Sequence, residues 1–466
     1  MSDLPDRLAK ALGSRLCSSL DYVELRAEST VHTAIDQRDS GVEVISRRYE
    51  SGHSARVLNN GCWGFSVSDG FRDIQSTIRN AAKAASVVPP REGEAPAELC
   101  MIKPVQRHVR SRTRKPLQEI DMDEKISFLK EICLGVIHSD SRITTSVTNY
   151  RDTSGQKLLV TSEGTCVVTD VSLADLMTAA SGRVAGRSVS SRDEVGTVTR
   201  GWDFFEKKET AKTITDRLVK RIQGQMNGIP AKRGTFPCIL SPRVVGMLAH
   251  EALGHLAEAD SFSTGAFGDL EGKRVAPENI TILDSPSIND GFGNIKIDDE
   301  GVVARDAVLI RNGVLGEQMT DREWAARLGT PPTGNARAES YRAPPIIRMR
   351  NTYFARGDMS LDELLEGKKF GYYCVDVKGG QTETNSSFQV GIQECYEIRD
   401  GEISKPVRDL ALSGIAVDSL QMIDGLGDDF EIESSYCGKL FQYMATSDGG
   451  PHMSLKKGAI VFGGSG

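Results

Sequence analysis

Hydrophobic and polar residues alternate in short segments along the first half of the chain, and this alternation predicts β-strands. The predicted strand segments are 22–27, 31–36, 42–46, 55–58, 63–67, 144–149, 157–161 and 166–173. Helical spacing of apolar residues predicts helices at 5–19, 74–85, 122–137 and 204–226. Two-residue hairpin turns are predicted at Asn60-Gly61, Asn312-Gly313 and Asp400-Gly401. Together these elements predict an α+β fold rich in antiparallel sheet.

The chain divides into two predicted domains. Residues 88–118 are rich in proline and charge, which is typical of a linker-like or extended segment. The sequence Asn-Gly-Ile-Pro at 227–230 ends the last predicted helix of the first half. We therefore expect an N-terminal α+β domain at 1–230 and a β-rich C-terminal domain at 231–466.

Residues 241–260 predict a single helix that opens the second domain. Ser241 can cap its first turn, and Pro242 suits the first helical position, where the missing N–H is not needed. Apolar residues then recur three and four positions apart on one face. They are Val244, Val245, Leu248, Ala252, Leu256 and Ala257.

This predicted helix carries the sequence His250-Glu251-Ala-Leu-Gly254-His255. Two imidazoles are good zinc ligands, and the carboxylate beside them can take a proton from zinc-bound water. The histidines are five residues apart, which separates them by about 140° on a regular α-helix. Both rings therefore reach one ion only if the helix bulges or unwinds locally, and Gly254 marks the expected place.

Composition and charge narrow the class of protein. The 466 residues contain 57 Lys and Arg against 64 Asp and Glu, a net charge of −7 that disfavours nucleic acid as a partner. The basic segment 107–115 is better read as a solvated strand, because no aromatic residues interleave it. Nine cysteines lie far apart without a C-x-x-C pair, which predicts reduced thiols in a cytoplasmic protein. An apolar signal core and an 18-residue apolar run are both absent from the sequence, so we expect no membrane partner.

A catalytic zinc needs a third protein ligand and an open position for water. Glu258 and Asp260 are close in sequence, and His452 is the histidine nearest the C-terminus. Cys437 offers a soft thiolate beside a glycine that lets the backbone bend around an ion. Spacing alone leaves these alternatives open.

The chain resembles the TldD/PmbA family, which is described both as modulators of DNA gyrase and as peptide-processing metallopeptidases. HEALGHLAEAD matches the His-Glu-x-x-x-His signature of that family together with the downstream Glu-x-Asp. The blocks TGNARAESYRAPP, RMRNTYFARGD, GGQTETNSSFQVGIQECYEIRDGEI and the late CGK match as well. The resemblance covers most of residues 235–464, and it implies an α+β fold with extensive antiparallel sheet.

At the positions that match the family's motifs, the resemblance implies that His250, His255 and Cys437 bind one zinc ion per chain and that Glu251 is the general base. Leu440-Phe441-Gln442 departs from the family pattern, where a small residue and Gly-Gln follow the CGK. The family contains subunits with and without the metal motif, which pair into a closed dimer. This chain keeps the motif, so the resemblance implies a catalytic subunit in a homodimer or in a heterodimer with a motif-less relative.

The sequence and the resemblance together predict a zinc-dependent metallopeptidase. Its substrate is expected to be an unfolded or loosely structured polypeptide, with Glu251 as general base for the zinc-bound water. The alternative is a non-hydrolytic binding subunit of the gyrase-modulator type, with a structural or empty metal site. Hydrolysis of an amide in a small molecule is a third possibility that the sequence leaves open.

Overall fold

The structure is a computed structural model, and it describes residues 3–87, 95–111, 113–383 and 385–464. Mixed helices and mostly antiparallel sheets confirm the predicted α+β fold class. In these ranges no helix is long and apolar enough to span a bilayer. Arg112 and residues 88–94 of the predicted linker lie outside the described residues.

The first sheet has seven strands in the described part of the chain. They are β1 (Tyr22–Arg38), β2 (Gly41–Asn59), β3 (Cys62–Asp69), β4 (Gln106–Val109), β5 (Ile143–Thr161), β6 (Cys166–Val184) and β7 (Arg187–Thr197). Their order is β3-β2-β1-β5-β6-β4, and β7 also pairs with β6. All neighbours are antiparallel except β4 and β6, so part of the predicted linker is a strand of this sheet.

Helices cover one face of this sheet. They are α1 (Leu4–Leu12), α2 (Ile74–Val87), α3 (Met122–Ser139), α4 (Asp203–Lys207) and α5 (Ala211–Asn227). Val23, Leu25 and Ile35 of β1 share that face, because side chains alternate along a strand and these residue numbers differ by even amounts. Val23 and Leu25 pack in one core with α1 and α2, whereas Ile35 packs in another with α3 and α5.

The opposite face of the first sheet meets the second half of the chain through buried polar contacts. Arg26 donates hydrogen bonds to the carbonyl oxygens of Ser340 and Ala343. Arg56 Nη1 lies 2.6 Å from Glu300 Oε1. These contacts cover part of the face opposite the helices, whereas residues 41–49 of β2 are exposed.

The second half contains the remaining strands. They are β8 (Ile229–Pro230), β9 (Gly234–Thr235), β10 (Cys238–Leu240), β11 (Ile282–Ser285), β12 (Ala307–Arg311), β13 (Val314–Leu315), β14 (Ala336–Arg337), β15 (Ile346–Ile347), β16 (Asn351–Phe354), β17 (Phe370–Thr382), β18 (Ser387–Arg399), β19 (Glu402–Arg408), β20 (Leu410–Ile415), β21 (Ile423–Leu426), β22 (Glu431–Lys439), β23 (Gln442–Gly450), β24 (Met453–Leu455) and β25 (Val461–Gly464). Within the described residues, one sheet runs β21-β24-β10-β17-β18-β20-β25-β9 with β19 and β8 beside it, and another runs β13-β12-β11-β16-β23-β22. The strands β14 and β15 form a separate pair.

Helical segments of the second half are short. The α-helices are α6 (Pro242–Met247), α7 (Ala259–Phe262), α8 (Arg322–Leu328), α9 (Leu361–Leu365) and α10 (Ala416–Gln421). Residues of α6 and α7 belong to one large apolar core with residues of the two long sheets. This core fixes α6 against the strands that carry the candidate site. The division into two domains at residue 230 stays a prediction.

Several predicted elements have different bounds in the structure. The predicted segments 22–27 and 31–36 belong to one strand, because β2 and β5 hydrogen-bond to β1 along nearly its whole length. The predicted helix 5–19 ends at Leu12 and is followed by a 3₁₀ turn at Cys17–Ser19. The predicted helix 204–226 is interrupted where Thr210 accepts a hydrogen bond from the Thr213 N–H and caps a new helix.

Candidate metal centre

The segment that carries the two histidines starts at the end of β10. Ser241 Oγ accepts a hydrogen bond from the N–H of Val244, and Pro242 is the first residue of α6. The predicted helix start is therefore confirmed. The single helix predicted for 241–260 is wrong, because the chain changes helix type twice and Glu258 adopts an extended conformation before α7.

A π-helical segment at Leu248–Gly254 explains the spacing of the histidines. The N–H of His255 donates to the carbonyl oxygen of His250, five residues back. This i→i+5 bonding brings residues five apart to successive turns of one face. The two imidazole centroids are 5.3 Å apart. The predicted local deformation thus exists, but it extends over the whole segment that ends at Gly254.

Two glycines allow side chains to approach this helical segment closely. A Cβ on Gly254 would lie 2.0 Å from the sulfur of Met349. A Cβ on Gly246 in α6 would lie 2.5 Å from Asp448 Oδ1. Gly254 therefore serves close packing and has ordinary helical dihedral angles, with φ −57° and ψ −53°.

The structure brings His250 and His255 together with Cys437 of β22. One ligating atom from each lies within 4.8 Å of the others, and His255 Nε2 is 3.4 Å from Cys437 Sγ. Zinc bond lengths of about 2.1 Å to nitrogen and 2.3 Å to sulfur give about 3.5 Å between such ligands in a tetrahedral site. Two imidazoles and one thiolate also suit zinc chemically. The three residues therefore fit a zinc ion.

The surroundings of Cys437 favour the thiolate form of its side chain and hold its backbone in place. Burial opposes its ionisation, but His250 and His255 outweigh that effect and lower the pKa of Cys437 to about 5. The thiolate is the form that binds metals. The backbone is held as well, because the buried guanidinium of Arg348 donates to the carbonyl oxygens of Cys437 and Gln442.

His255 is oriented by a buried ion-pair network. Its Nδ1 lies 3.2 Å from Glu258 Oε2, which leaves Nε2 to face Cys437. Lys439 Nζ lies 3.0 Å from the same Glu258 oxygen and 2.8 Å from Asp260 Oδ1. Burial alone would raise the pKa of Glu258, yet His255 and Lys439 lower it to about 2. Glu258 is thus a charged partner for the far side of the His255 ring.

His250 also faces a carboxylate with Nδ1, but at a longer distance than His255 does. Its Nδ1 is 3.6 Å from Asp448 Oδ2 on β23, beyond hydrogen-bond distance. That oxygen accepts a hydrogen bond of 2.6 Å from Ser435 Oγ on β22. Each histidine therefore faces one buried carboxylate with Nδ1, although only His255 is within bonding distance.

The other sequence-predicted candidates lie in different settings. Glu251 follows His250 in the π-helical segment and is partly exposed. His452 binds Tyr373 Oη through Nε2 at 2.8 Å and Asp429 through Nδ1 at 2.7 Å, so both ring nitrogens are engaged. Asp260 contacts Lys439, and Glu258 contacts His255 from the side away from Cys437. The ligand assignment to His250, His255 and Cys437 stays a prediction that this geometry supports.

Sequence reasoning missed Asp448, Lys439 and Arg348 as parts of the site. Lys439 belongs to the CGK block and was available as a signal, but its contact with Glu258 depends on the fold. Asp448 reaches His250 because β22 and β23 pair in a register that sets Cys437 opposite Met444 and Glu433 opposite Asp448. That register was not predicted.

Tyr436 and the acidic residues near 298 also lie outside the cluster. Tyr436 Oη donates to Asp175 Oδ1 of the first sheet at 2.8 Å, so it is not directed at the metal ligands. Asp298 accepts hydrogen bonds from the backbone N–H groups of Glu300 and Val302, so its carboxylate stabilises a local turn.

Comparison with known proteins identifies the family. Models of the PmbA/TldA metallopeptidase match domain 1 at 23–85, the central domain at 115–222 and the C-terminal domain at 233–461. A zinc metalloprotease TldD homolog of Saccharolobus solfataricus is 35% identical over 441 residues, covering 94% of this chain and 95% of the relative. A metalloprotease of Methanothermobacter thermautotrophicus is 33% identical over 450 residues, covering 95% of both chains.

Solved structures show the same fold. TldE from Thermococcus kodakarensis aligns with a TM-score of 0.79 at 19% identity, covering 99% of this chain and 100% of that one. A putative modulator of a DNA gyrase from Thermotoga maritima aligns with a TM-score of 0.79 at 18% identity, with the same coverage. The match of the three domain models and the full-length relatives shows that this chain belongs to the PmbA/TldD metallopeptidase family.

Proposed function

We propose that this protein is a zinc-dependent metallopeptidase that hydrolyses peptide bonds in unfolded or loosely structured polypeptides. The observation that carries the proposal is the convergence of His250, His255 and Cys437 within 4.8 Å, with Glu251 in the same π-helical segment. The relative named as a zinc metalloprotease supports zinc as the metal.

Two imidazoles and the Cys437 thiolate would hold the ion and leave one position open. A bound zinc ion would supply a Lewis acid that polarises the scissile carbonyl and makes water more acidic. Glu251 would accept the proton of the attacking water and pass it to the leaving amine. Glu258 and Asp448 would hold the ring planes of the two histidines.

The burial of the site supports a flexible substrate. Cys437 is 2% exposed and His250 is 4% exposed, whereas the His255 side chain is 24% exposed. A peptide bond inside a rigid folded domain would not reach such a recessed cluster. An extended segment would reach it, because its backbone can approach without the rest of a folded protein following.

We further propose that the protein acts as a dimer, either with an identical copy or with a relative that lacks the metal motif. The fold that the chain shares with a protein named TldE supports the existence of two related kinds of subunit. The cytoplasmic location stays a prediction from the sequence.

Replacing the proposed base tests the mechanism. Glu251→Gln keeps the size of the side chain but cannot accept a proton, so hydrolysis of reduced, carboxymethylated casein should fall by about 10²–10⁴-fold while zinc content is kept. Glu271→Gln changes an exposed carboxylate and is the matched control. Full activity in Glu251→Gln would contradict the mechanism.

The alternative is a non-hydrolytic binding subunit, and the shared fold with the Thermotoga maritima protein named as a putative modulator of a DNA gyrase favours it. In that case zinc would be structural or absent, and the wild type would bind casein without cleaving it. A structural site has no use for a base, so the presence of Glu251 beside the ligands favours the peptidase.

A further inference from the structure

Two ion pairs join β22 to the chain segment that carries the histidines, one on each side of Cys437. Arg243, in the first turn of α6, donates a hydrogen bond of 2.8 Å from Nη1 to Glu433 Oε2. Lys439 contacts Glu258, which follows the histidines in the chain. The side chains at 433, 437 and 439 share one face of β22, because these residue numbers differ by even amounts. The thiolate therefore lies between two attachments of its strand.

Arg243 is itself held by carboxylates from two other strands. Its Nε lies 2.5 Å from Asp376 Oδ1 on β17, and its Nη2 lies 3.9 Å from Asp193 Oδ1 on β7 of the first sheet. Both of these aspartates are buried, whereas the Glu433 side chain is 28% exposed. A guanidinium group presents its donors in a rigid planar fork, so one arginine can contact several carboxylates in a fixed geometry. The contact with Glu433 is therefore made from a side chain that cannot rotate freely.

Contacts continue from this ion pair to the candidate metal ligands. Asp448 of β23 lies opposite Glu433 in the hairpin. Its Oδ2 accepts the hydrogen bond from Ser435 and faces His250 Nδ1 at 3.6 Å. Its Oδ1 lies so close to α6 that a Cβ on Gly246 would be only 2.5 Å away. A shift of β22 at Glu433 would therefore displace the carboxylate that faces His250 as well as the strand that carries the thiolate.

The ion pair is remote from the candidate ligands, so it can act on metal binding only through the position of β22 or through charge. Four residues of extended strand separate Glu433 from Cys437, about 13 Å, and seven helical residues separate Arg243 from His250, about 10 Å. The two effects have opposite signs. Loss of the Arg243 charge alone would leave carboxylates unneutralised and would favour a cation such as Zn²⁺. Release of β22 would weaken binding, because the ligands would no longer be held in one geometry.

We propose that Arg243 is a positioning residue for the metal centre. It holds β22 through Glu433 and so keeps the Cys437 thiolate in place beside His250 and His255. This inference rests on the proposed zinc site and adds to it a residue from outside the metal motif. Because Arg243 also contacts a carboxylate of β7, the first sheet takes part in holding the site.

Arg243→Met tests the inference in the full chain. Zinc affinity, measured by competition with a chromogenic chelator, should fall about tenfold or more, as is usual when a residue that orients metal ligands is replaced. Arg221→Met is the matched control, because the buried Arg221 of α5 contacts the same Asp193 and Asp376 but is not paired with Glu433 in the described part of the chain. Both variants should lower the free energy of unfolding of the metal-stripped protein. Only Arg243→Met should lower zinc affinity.

A double-mutant cycle tests the route through Glu433. Glu433→Met removes the same contact from the other side, so each single variant should lower zinc affinity and the double variant should lose no more than the larger single loss. Glu431→Met removes an exposed carboxylate on the same face of β22 and should leave zinc affinity unchanged. Glu433 is only partly buried, so Glu433→Met carries the test even if Arg243→Met fails to fold. Single losses that multiply in the double variant would overturn the inference.

Cobalt(II) in place of zinc reports on the bond to Cys437. The charge-transfer absorption of a thiolate bound to cobalt(II) should weaken in Arg243→Met and stay unchanged in Arg221→Met. A role in stability alone would leave this absorption unchanged in both folded, metal-loaded variants. Zinc affinity that is unchanged or higher in Arg243→Met would overturn the inference, and so would an equal loss in Arg221→Met.

The outcomes separate this inference from the proposed function. Zinc affinity is measured without hydrolysis, so a wild type that binds zinc but leaves casein intact would contradict the peptidase proposal alone. Full zinc affinity in Arg243→Met beside a wild type that cleaves casein would contradict the inference alone. A wild type that binds no zinc would overturn both.

Discussion

The two histidines of the candidate metal centre differ in how firmly they are held. His255 Nδ1 is 3.2 Å from Glu258, and Lys439 holds that carboxylate in turn. His250 Nδ1 is 3.6 Å from Asp448 and has no hydrogen-bond partner in the described part of the chain. The π-helical segment brings both rings together, but residues outside it orient them. His255 is therefore oriented by a carboxylate within hydrogen-bond distance, whereas the Nδ1 of the buried His250 faces a carboxylate that is too far away to bond.

Three substitutions test this difference between the two histidines, and removal of Lys439 should have the largest effect of the three. Lys439→Met leaves the buried carboxylate of Glu258 and the half-buried one of Asp260 without their shared cation, so the free energy of unfolding should fall by roughly 3 kcal/mol. Urea unfolding of the metal-stripped full chain measures it. Lys405→Met, at an exposed position on β19, is the control and should change little. A loss of less than about 1 kcal/mol in Lys439→Met would show that the network does not hold His255.

Replacement of Glu258, the carboxylate beside His255, should have the second largest effect. Glu258→Gln weakens the partner of Nδ1, so zinc affinity should fall by about 10–100-fold. Competition with a chromogenic chelator measures the affinity. Asp260→Asn is the matched control, because Asp260 contacts Lys439 but its carboxylate does not contact His255. An equal loss of zinc affinity in both variants would mean that the net charge around the site determines the affinity and that the orientation of the His255 ring does not.

Asp448→Asn should have a smaller effect on zinc affinity than Glu258→Gln. The carboxylate is outside hydrogen-bond distance of His250, so we expect a loss below about tenfold in the same chelator competition. A loss equal to that of Glu258→Gln would break the contrast between the two histidines. It would indicate that Asp448 closes onto His250 when the metal binds.

The sequence predicted those features that depend on local chemistry. Asn60-Gly61 and Asn312-Gly313 form the expected turns, and their residues have positive φ, which asparagine and glycine tolerate. Ser241 and Pro242 begin a helix as predicted. The spacing of His250 and His255 required a deformed helix, and the structure has one.

Features that depend on distant parts of the chain were not predictable. Gly254 packs closely against Met349, which is 95 residues away along the chain, and no local signal marks that contact. Asp448 reaches His250 through the register of β22 with β23. Leu440-Phe441 forms a turn without any turn-favouring residue, so no local signal marks it. The family resemblance supplied Cys437, which spacing alone could not select.

Metal content of the purified full chain tests the central claim most directly. Wild type is compared with His255→Ala and Cys437→Ala, and Cys62→Ala is the control for a cysteine outside the cluster. We predict about one zinc per chain in the wild type and in Cys62→Ala, and loss of zinc in the other two variants. Zinc retained in Cys437→Ala, or no zinc in a wild type supplied with it, would contradict the account.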